Sequence, residues 1–160
     1  MKDTSSKCSE CGGQMALRAY AHTEKVGKYK VNDATGHAMQ CRKCGDVELT
    51  LNELAGYQRR AAALVLREAA DVDGAMVKYA RKALGMKQTE LAERIGCAAE
   101  TVSRWETGAL LIARPEQLAI VAILDGVELA GGLDAYLEQE QSARTSRTLE
   151  VVPPRRACGS

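Results

Sequence analysis

Phenylalanine is absent from this chain and tryptophan occurs once; aromatic residues make up 4% of its 160 positions. A core must therefore be built from Ala, Leu, Val and Ile, which favours helices over a sandwich or barrel. A module of about 50 residues with so few rings would be marginal alone and would need a metal or a partner. Long apolar runs are lacking too. The longest strongly apolar stretch, Leu118–Leu124, is far too short to span a bilayer. Met1 to Ser9 is polar and has no apolar core of a secretion signal. These absences lead us to expect a cytoplasmic chain with no membrane association. Charge of one sign is also missing: the net charge is +1, so overall charge points to no partner.

The distribution of charge says more. Residues 1–51 carry 8 basic and 6 acidic groups, and residues 71–138 carry 7 basic and 11 acidic groups. Any DNA-binding surface must be a local patch on an acidic domain.

Six cysteines in a chain without a secretion signal argue for metal or free thiols rather than a disulfide framework. Cys8, Cys11, Cys41 and Cys44 read C-x2-C, 29 intervening residues, C-x2-C, and a glycine follows each pair. Two thiolates three positions apart form a tight knuckle, and the glycine lets backbone N–H groups turn toward the sulfurs. Two such knuckles complete a tetrahedral four-sulfur site, which suits one structural Zn2+ per chain. Four thiolates leave no open position for catalysis. Lys7, Arg42 and Lys43 offset the charge of such a centre. The rival reading, a pair of redox dithiols in an enzyme, needs a βαβ context that these knuckles lack. His22 and His37 read as surface groups rather than ligands, Cys97 as a small buried hydrophobe, and Cys158 as an exposed thiol.

Strands are expected over Met15–His22, Tyr29–Asn32 and Val47–Leu51, with turns at Thr23–Lys28 and Ala34–Gly36. Asn52 reads as the N-cap of a helix running to about Ala70, with Leu54, Tyr57, Ala61 and Leu64 or Val65 on one stripe. Asp71-Val-Asp73-Gly74 breaks it. Helices follow at roughly 74–84, 88–95, 99–107, 115–125 and 128–138. Gly85, Gly96 and Gly108 stand at C-terminal ends and Pro115 in a first turn. Leu129, Leu133, Tyr136 and Leu137 make an apolar stripe that we expect to join two chains. From Gln139 onward the chain is rich in Ser, Thr and Arg and is expected to be disordered. Met76 and Met86 read as core residues.

The segment Gln88–Gly108 is the informative one. Leu91, Ala92 and Ile95 lie on one helix face, Gly96 makes a turn, and Val102 and Trp105 face back. Ala99, Glu100, Ser103 and Arg104 are left outward, available to a major groove, and Thr101 beside them is a further DNA-binding candidate. Together with Arg81, this stretch resembles the Xre/Cro-type helix-turn-helix family over about residues 74–125. The resemblance implies an Arg81–Glu106 ion pair tying the first helix to the third, a DNA-contacting Gln88, and base-reading positions at Ala99, Glu100 and Arg104. Lys87 and Ala98 stand where the family often has capping Ser or Thr.

Knuckles followed by this motif are similar to the MqsA-type antitoxins, in which a YgiT-type zinc finger precedes the helix-turn-helix. That resemblance implies a dimer that represses its own operon and binds a ribonuclease toxin through the zinc module; two-fold pairing of the chains predicts a palindromic site. A free-standing zinc-containing transcription factor is the alternative. The expected fold is α+β: a zinc-nucleated β module over 1–51, a connecting helix and linker over 52–72, an all-α helix-turn-helix and dimerisation domain over 73–138, and a tail over 139–160. No enzymatic activity is expected.

Overall fold

The computed structural model describes residues 7–126 and 150–152. An antiparallel hairpin opens it, formed by β1 (Met15–Val26) and β2 (Tyr29–Cys41). The short β3 (Val47–Glu48) and β4 (Glu150–Val152) both pair with β2. Among the described residues five helices follow the hairpin: α1 (Leu51–Glu68), α2 (Gly74–Ala83), α3 (Gln88–Ile95), α4 (Ala99–Thr107) and α5 (Arg114–Leu124). The fold is α+β. The expected helix at 128–138, with Leu129, Leu133, Tyr136 and Leu137, lies outside the described residues, as does Cys158. β4 falls within the stretch expected to be disordered, where Glu150–Val152 adds a backbone ladder to Lys30–Asn32.

Both strands run longer than their sequence signals. The polar stretch from Thr23 does not turn until Gly27, which takes a positive φ of 57°. Ala34–Gly36 is not a chain reversal but part of an irregularity inside β2, where the register shifts opposite Tyr20–His22. Asp33 explains it. Its Oδ1 accepts hydrogen bonds from the backbone N–H and the hydroxyl of Thr35, at 2.9 and 2.6 Å. A side-chain acceptor two residues back is the signal of a turn, and here it produces a bulge instead.

The first two helix starts follow their caps. Thr50, not Asn52, caps α1: its hydroxyl accepts from the Glu53 N–H, and the Glu53 carboxylate accepts from the Thr50 N–H. Asp73 caps α2 through the Met76 N–H.

α1 organises the packing. Six consecutive residues, Ala61–Leu66, are buried, so the helix has apolar neighbours on all sides at its centre. Ala62, Ala63 and Leu66 join the main helical core with Val77, Leu91, Val102, Trp105 and Ile120. Ala61, Leu64 and Val65 join a second core with Val26 and Val31 of the hairpin and Met76 of α2. Arg59 donates to the Ala83 carbonyl at the end of α2, and Arg60 pairs with the buried Asp33 of β2. From α5, Arg114 and Gln117 donate to the Leu66 and Arg67 carbonyls that end α1. The turn end of the hairpin thus belongs to the helical body. The knuckle end forms its own small cluster of Cys8, Met15 and Cys41.

Candidate metal centre and nucleic-acid interface

The two cysteine knuckles share one backbone pattern. The Cys8 N–H bonds the Gly13 carbonyl and the Gly12 N–H returns to Cys8; the Cys41 N–H bonds Asp46 and the Gly45 N–H returns to Cys41. Gly12 and Gly45 take φ of 68° and 79°, a conformation costly for any residue with a Cβ. The β1–β2 register, Met15 opposite Cys41, then sets one knuckle against the other.

All four sulfurs lie within 4.8 Å of one another. Cys8 and Cys44 are separated by 3.7 Å and Cys11 and Cys41 by 3.5 Å. A tetrahedron with Zn–S bonds of about 2.3 Å has edges of about 3.8 Å, so the donor set fits the ion. The described cysteines are all free thiols. Backbone N–H groups of Cys44 and Lys43 aimed at the Cys41 sulfur pull its thiol down to about 6. One member of the set is thereby ready to ligate as thiolate near neutral pH. Asp46, whose Oδ2 lies 3.9 Å from the Cys8 sulfur, sits beside the cluster; its position two residues past Cys44 carries no signal of that in the sequence. His22 and His37 are not among the groups brought together there.

In the helical domain, α3 and α4 are joined through Gly96, in the left-handed region at φ 76°. Leu91 and Ala92 on α3 are buried, as are Val102 and Trp105 on α4. α2 crosses behind them. Arg81 on α2 makes two hydrogen bonds to Glu106 at the end of α4, of 2.5 and 3.0 Å, and a third to the Met86 carbonyl at 2.8 Å. Gln88 of α3 donates its amide to the same Glu106 carboxylate at 2.9 Å. Three helices are therefore tied by one carboxylate whose side chain is 4% exposed. Burial alone would raise the Glu106 carboxyl, but the bonds from Arg81 and Gln88 hold it below its ordinary value.

With α4 held in this way, Glu100 and Arg104 are exposed, and Ala99, Thr101 and Ser103 are half-buried. Ala99 also packs against the helical core. Gln88 is half-buried and committed to Glu106, so one amide N–H remains as a donor outside that bond. Ala98 gives α4 no side-chain cap. At α3 the Glu90 carboxylate accepts from the Lys87 N–H, half of a capping box, because a lysine cannot accept the reciprocal bond. Cys97 is half-buried against the core, and burial pushes its thiol up. Met76 is fully buried and Met86 packs at the core edge.

The Asp33–Arg60 pair, the Arg114 and Gln117 bonds to α1, and the Tyr79–Glu24 bond at 2.9 Å were not foreseen. Each joins residues far apart in sequence, and no local spacing announces it.

Among the described residues, no helix is long and apolar enough to cross a membrane. No curated protein matches the chain. The helix-turn-helix family matches residues 77–131, from the first turn of α2 through α5 and beyond. With the Arg81–Glu106 tie, the α3–Gly96–α4 corner and this match together, residues 77–131 are a helix-turn-helix domain of the Xre type, the domain of DNA-binding transcription regulators.

Proposed function

We propose that this protein is a sequence-specific repressor that reads DNA with α4. The observation that carries the reading is the Glu106 network: it fixes α4 against α2 and α3 with Val102 and Trp105 inward and Glu100 and Arg104 outward. Arg104 then grips a guanine edge, Glu100 accepts from a cytosine amino group, and Ala99, Thr101 and Ser103 line the approach. Gln88 meets a phosphate with its remaining amide N–H, and the uncapped N-terminus of α4 leaves backbone N–H groups for another. Two chains assemble as a homodimer on a palindromic operator, placing two α4 helices in major grooves about 34 Å apart. One Zn2+ per chain, held by Cys8, Cys11, Cys41 and Cys44, crosslinks the two knuckles and performs no catalysis.

The order of parts, two Cys-x-x-Cys-Gly knuckles ahead of the helix-turn-helix, supports a finer role. In it the chain is the cytoplasmic antitoxin of a type II module, represses its own operon, and neutralises a ribonuclease toxin through the zinc module. One observation favours a second reading, a free-standing transcription factor. Val26 and Val31 at the hairpin turn are buried against α1 and α2, which makes the β module part of the DNA-binding scaffold rather than a free arm. Co-transcription with a small ribonuclease that co-purifies with this chain supports the antitoxin; a solitary gene supports the regulator.

Selection of sites from random DNA, followed by titration of variants, tests the reading helix. Arg104→Ala is expected to cost about 1–3 kcal/mol per half-site and to relax preference at one base pair. Glu100→Gln is expected to raise affinity for random DNA by removing phosphate repulsion, with discrimination at the neighbouring base reduced. Unchanged binding to selected and random DNA in both variants would show that α4 does not read bases.

A further inference from the structure

Lys25, Lys28 and Lys30 crowd the two-residue turn that joins β1 and β2, and all three are exposed. Lys25 and Lys30 are directly opposed in the β-ladder. Like charges in that position oppose pairing. Strand alternation puts the opposed Glu24 and Val31 on the inner face, toward α1 and α2, and therefore turns Lys25 and Lys30 outward. Lys28 has a loose ion pair with the exposed Asp71 at 3.8 Å. Within the described residues, Lys25 and Lys30 have no ion pair.

This basic turn does not swing freely. Met76 of α2 lies beneath Gly27, with its Cγ 2.7 Å from where a Cβ would stand. Tyr79 of α2 bonds Glu24 of β1. The start of α2 in turn lies against the end of α4: Gly74 faces the Trp105 and Glu106 carbonyls. A rigid path thus leads from the three lysines, through the first turns of α2, to the helix proposed to enter the major groove. The helical segment itself is poor in cations for a DNA partner, with 7 basic against 11 acidic groups over residues 71–138. Phosphate neutralisation dominates DNA affinity, so cations from outside that segment would add to what its own local patch supplies.

We propose that Lys25, Lys28 and Lys30 form a second DNA contact, a prong that grips the phosphate backbone flanking the base pairs under α4. The contact carries no sequence preference. It rests on the reading of α4 as the DNA-facing helix. It also accounts for two lysines set directly across a ladder, since phosphate oxygens between them convert a repulsion into two attractions.

The test is a salt titration of the full-length protein on a random-sequence duplex, read by fluorescence anisotropy. Replacing all three residues (Lys25→Gln, Lys28→Gln, Lys30→Gln) is expected to reduce the slope of log affinity against log salt by about 0.9 per phosphate contact, or about 2.7 in all. The triple Lys→Arg protein is expected to keep the wild-type slope. Thermal stability of the Gln protein is expected not to fall, because a facing pair of like charges has been removed; single Lys30→Gln gives the same comparison with the least disturbance. A Gln protein with wild-type slope and affinity, alongside an Arg104→Ala protein that is weakened, overturns the prong and leaves the reading helix standing. Failure of the wild-type chain to bind any duplex overturns both.

Discussion

Glu106 is the residue on which most geometry converges. Its carboxylate receives Arg81 and Gln88 and joins α2, α3 and α4. Its folded value lies below the ordinary 4.5, and that of Asp33, held by Thr35 and Arg60 against the opposing effect of burial, lies below the ordinary 3.8. A depressed carboxyl contributes stability that is fully present above its unfolded value and is lost as pH falls through its folded value. Stability is therefore expected to be flat with respect to these two groups from neutral pH down to about 5, and to fall as pH drops below 4. Denaturant titrations at a series of pH values check this. Glu106→Gln is expected to cost about 3 kcal/mol at neutral pH, because it leaves a largely buried guanidinium without its counter-charge, and to flatten the acid limb.

Gly74 makes a second point at this scale. It opens α2, where alanine is the better helix former by about 1 kcal/mol, so local propensity favours Gly74→Ala. In the fold, a Cβ there would stand 2.6 Å from the Trp105 carbonyl oxygen and closer still to that of Glu106. Backbone atoms cannot rotate aside. We expect the substitution to destabilise by about 1–3 kcal/mol, measured as a lower denaturation midpoint. A stabilised Gly74→Ala protein would refute the α2–α4 contact.

At the scale of elements, helix limits were largely legible where they carry a local device. Asp73 accepts from Met76, and Gly96 and Gly108 take left-handed φ at the ends of α3 and α4. The stripe on α1 was legible only in part. Tyr57, Ala61, Leu64 and Val65 are buried as the periodicity suggests, but so are Ala62, Ala63 and Leu66, which belong to a different core. A helix buried on all sides has no polar face to reveal its orientation. The strands were underestimated because polar Thr23 and Lys25 occupy the solvent side of β1 and read as a turn, and because the bulge after Asp33 reads as a break in β2.

For the whole molecule, the decisive feature is that the hairpin is shared. Its turn half packs into the helical body, while among the described residues Cys8, Met15 and Cys41 form a separate cluster against which Cys11 and Met39 pack. The expected boundary at 51/52 follows the chain, but cooperative units follow the cores. Cys41→Ser, which breaks the four-sulfur set, is therefore expected to remove amide protection near residues 8–19 and 37–48. Protection at Val26, Val31 and the helices is expected to persist. Hydrogen exchange read by mass spectrometry distinguishes this from loss of the entire hairpin, which would show that the metal end and the turn end fold as one unit.

Sequence alone was enough to specify the four-cysteine set and the helix-turn-helix, since both depend on short-range spacing: two residues between thiolates, and helical periods that separate Leu91 and Ala92 from Glu100 and Arg104. Only the tertiary structure decided how the two parts are joined. Asp33 meets Arg60, Glu24 meets Tyr79 and Arg114 meets the end of α1 across long stretches of chain. Those encounters depend on which faces of α1 the hairpin and the helices bury, and a helix that is apolar all round its centre does not encode that choice in its own spacing.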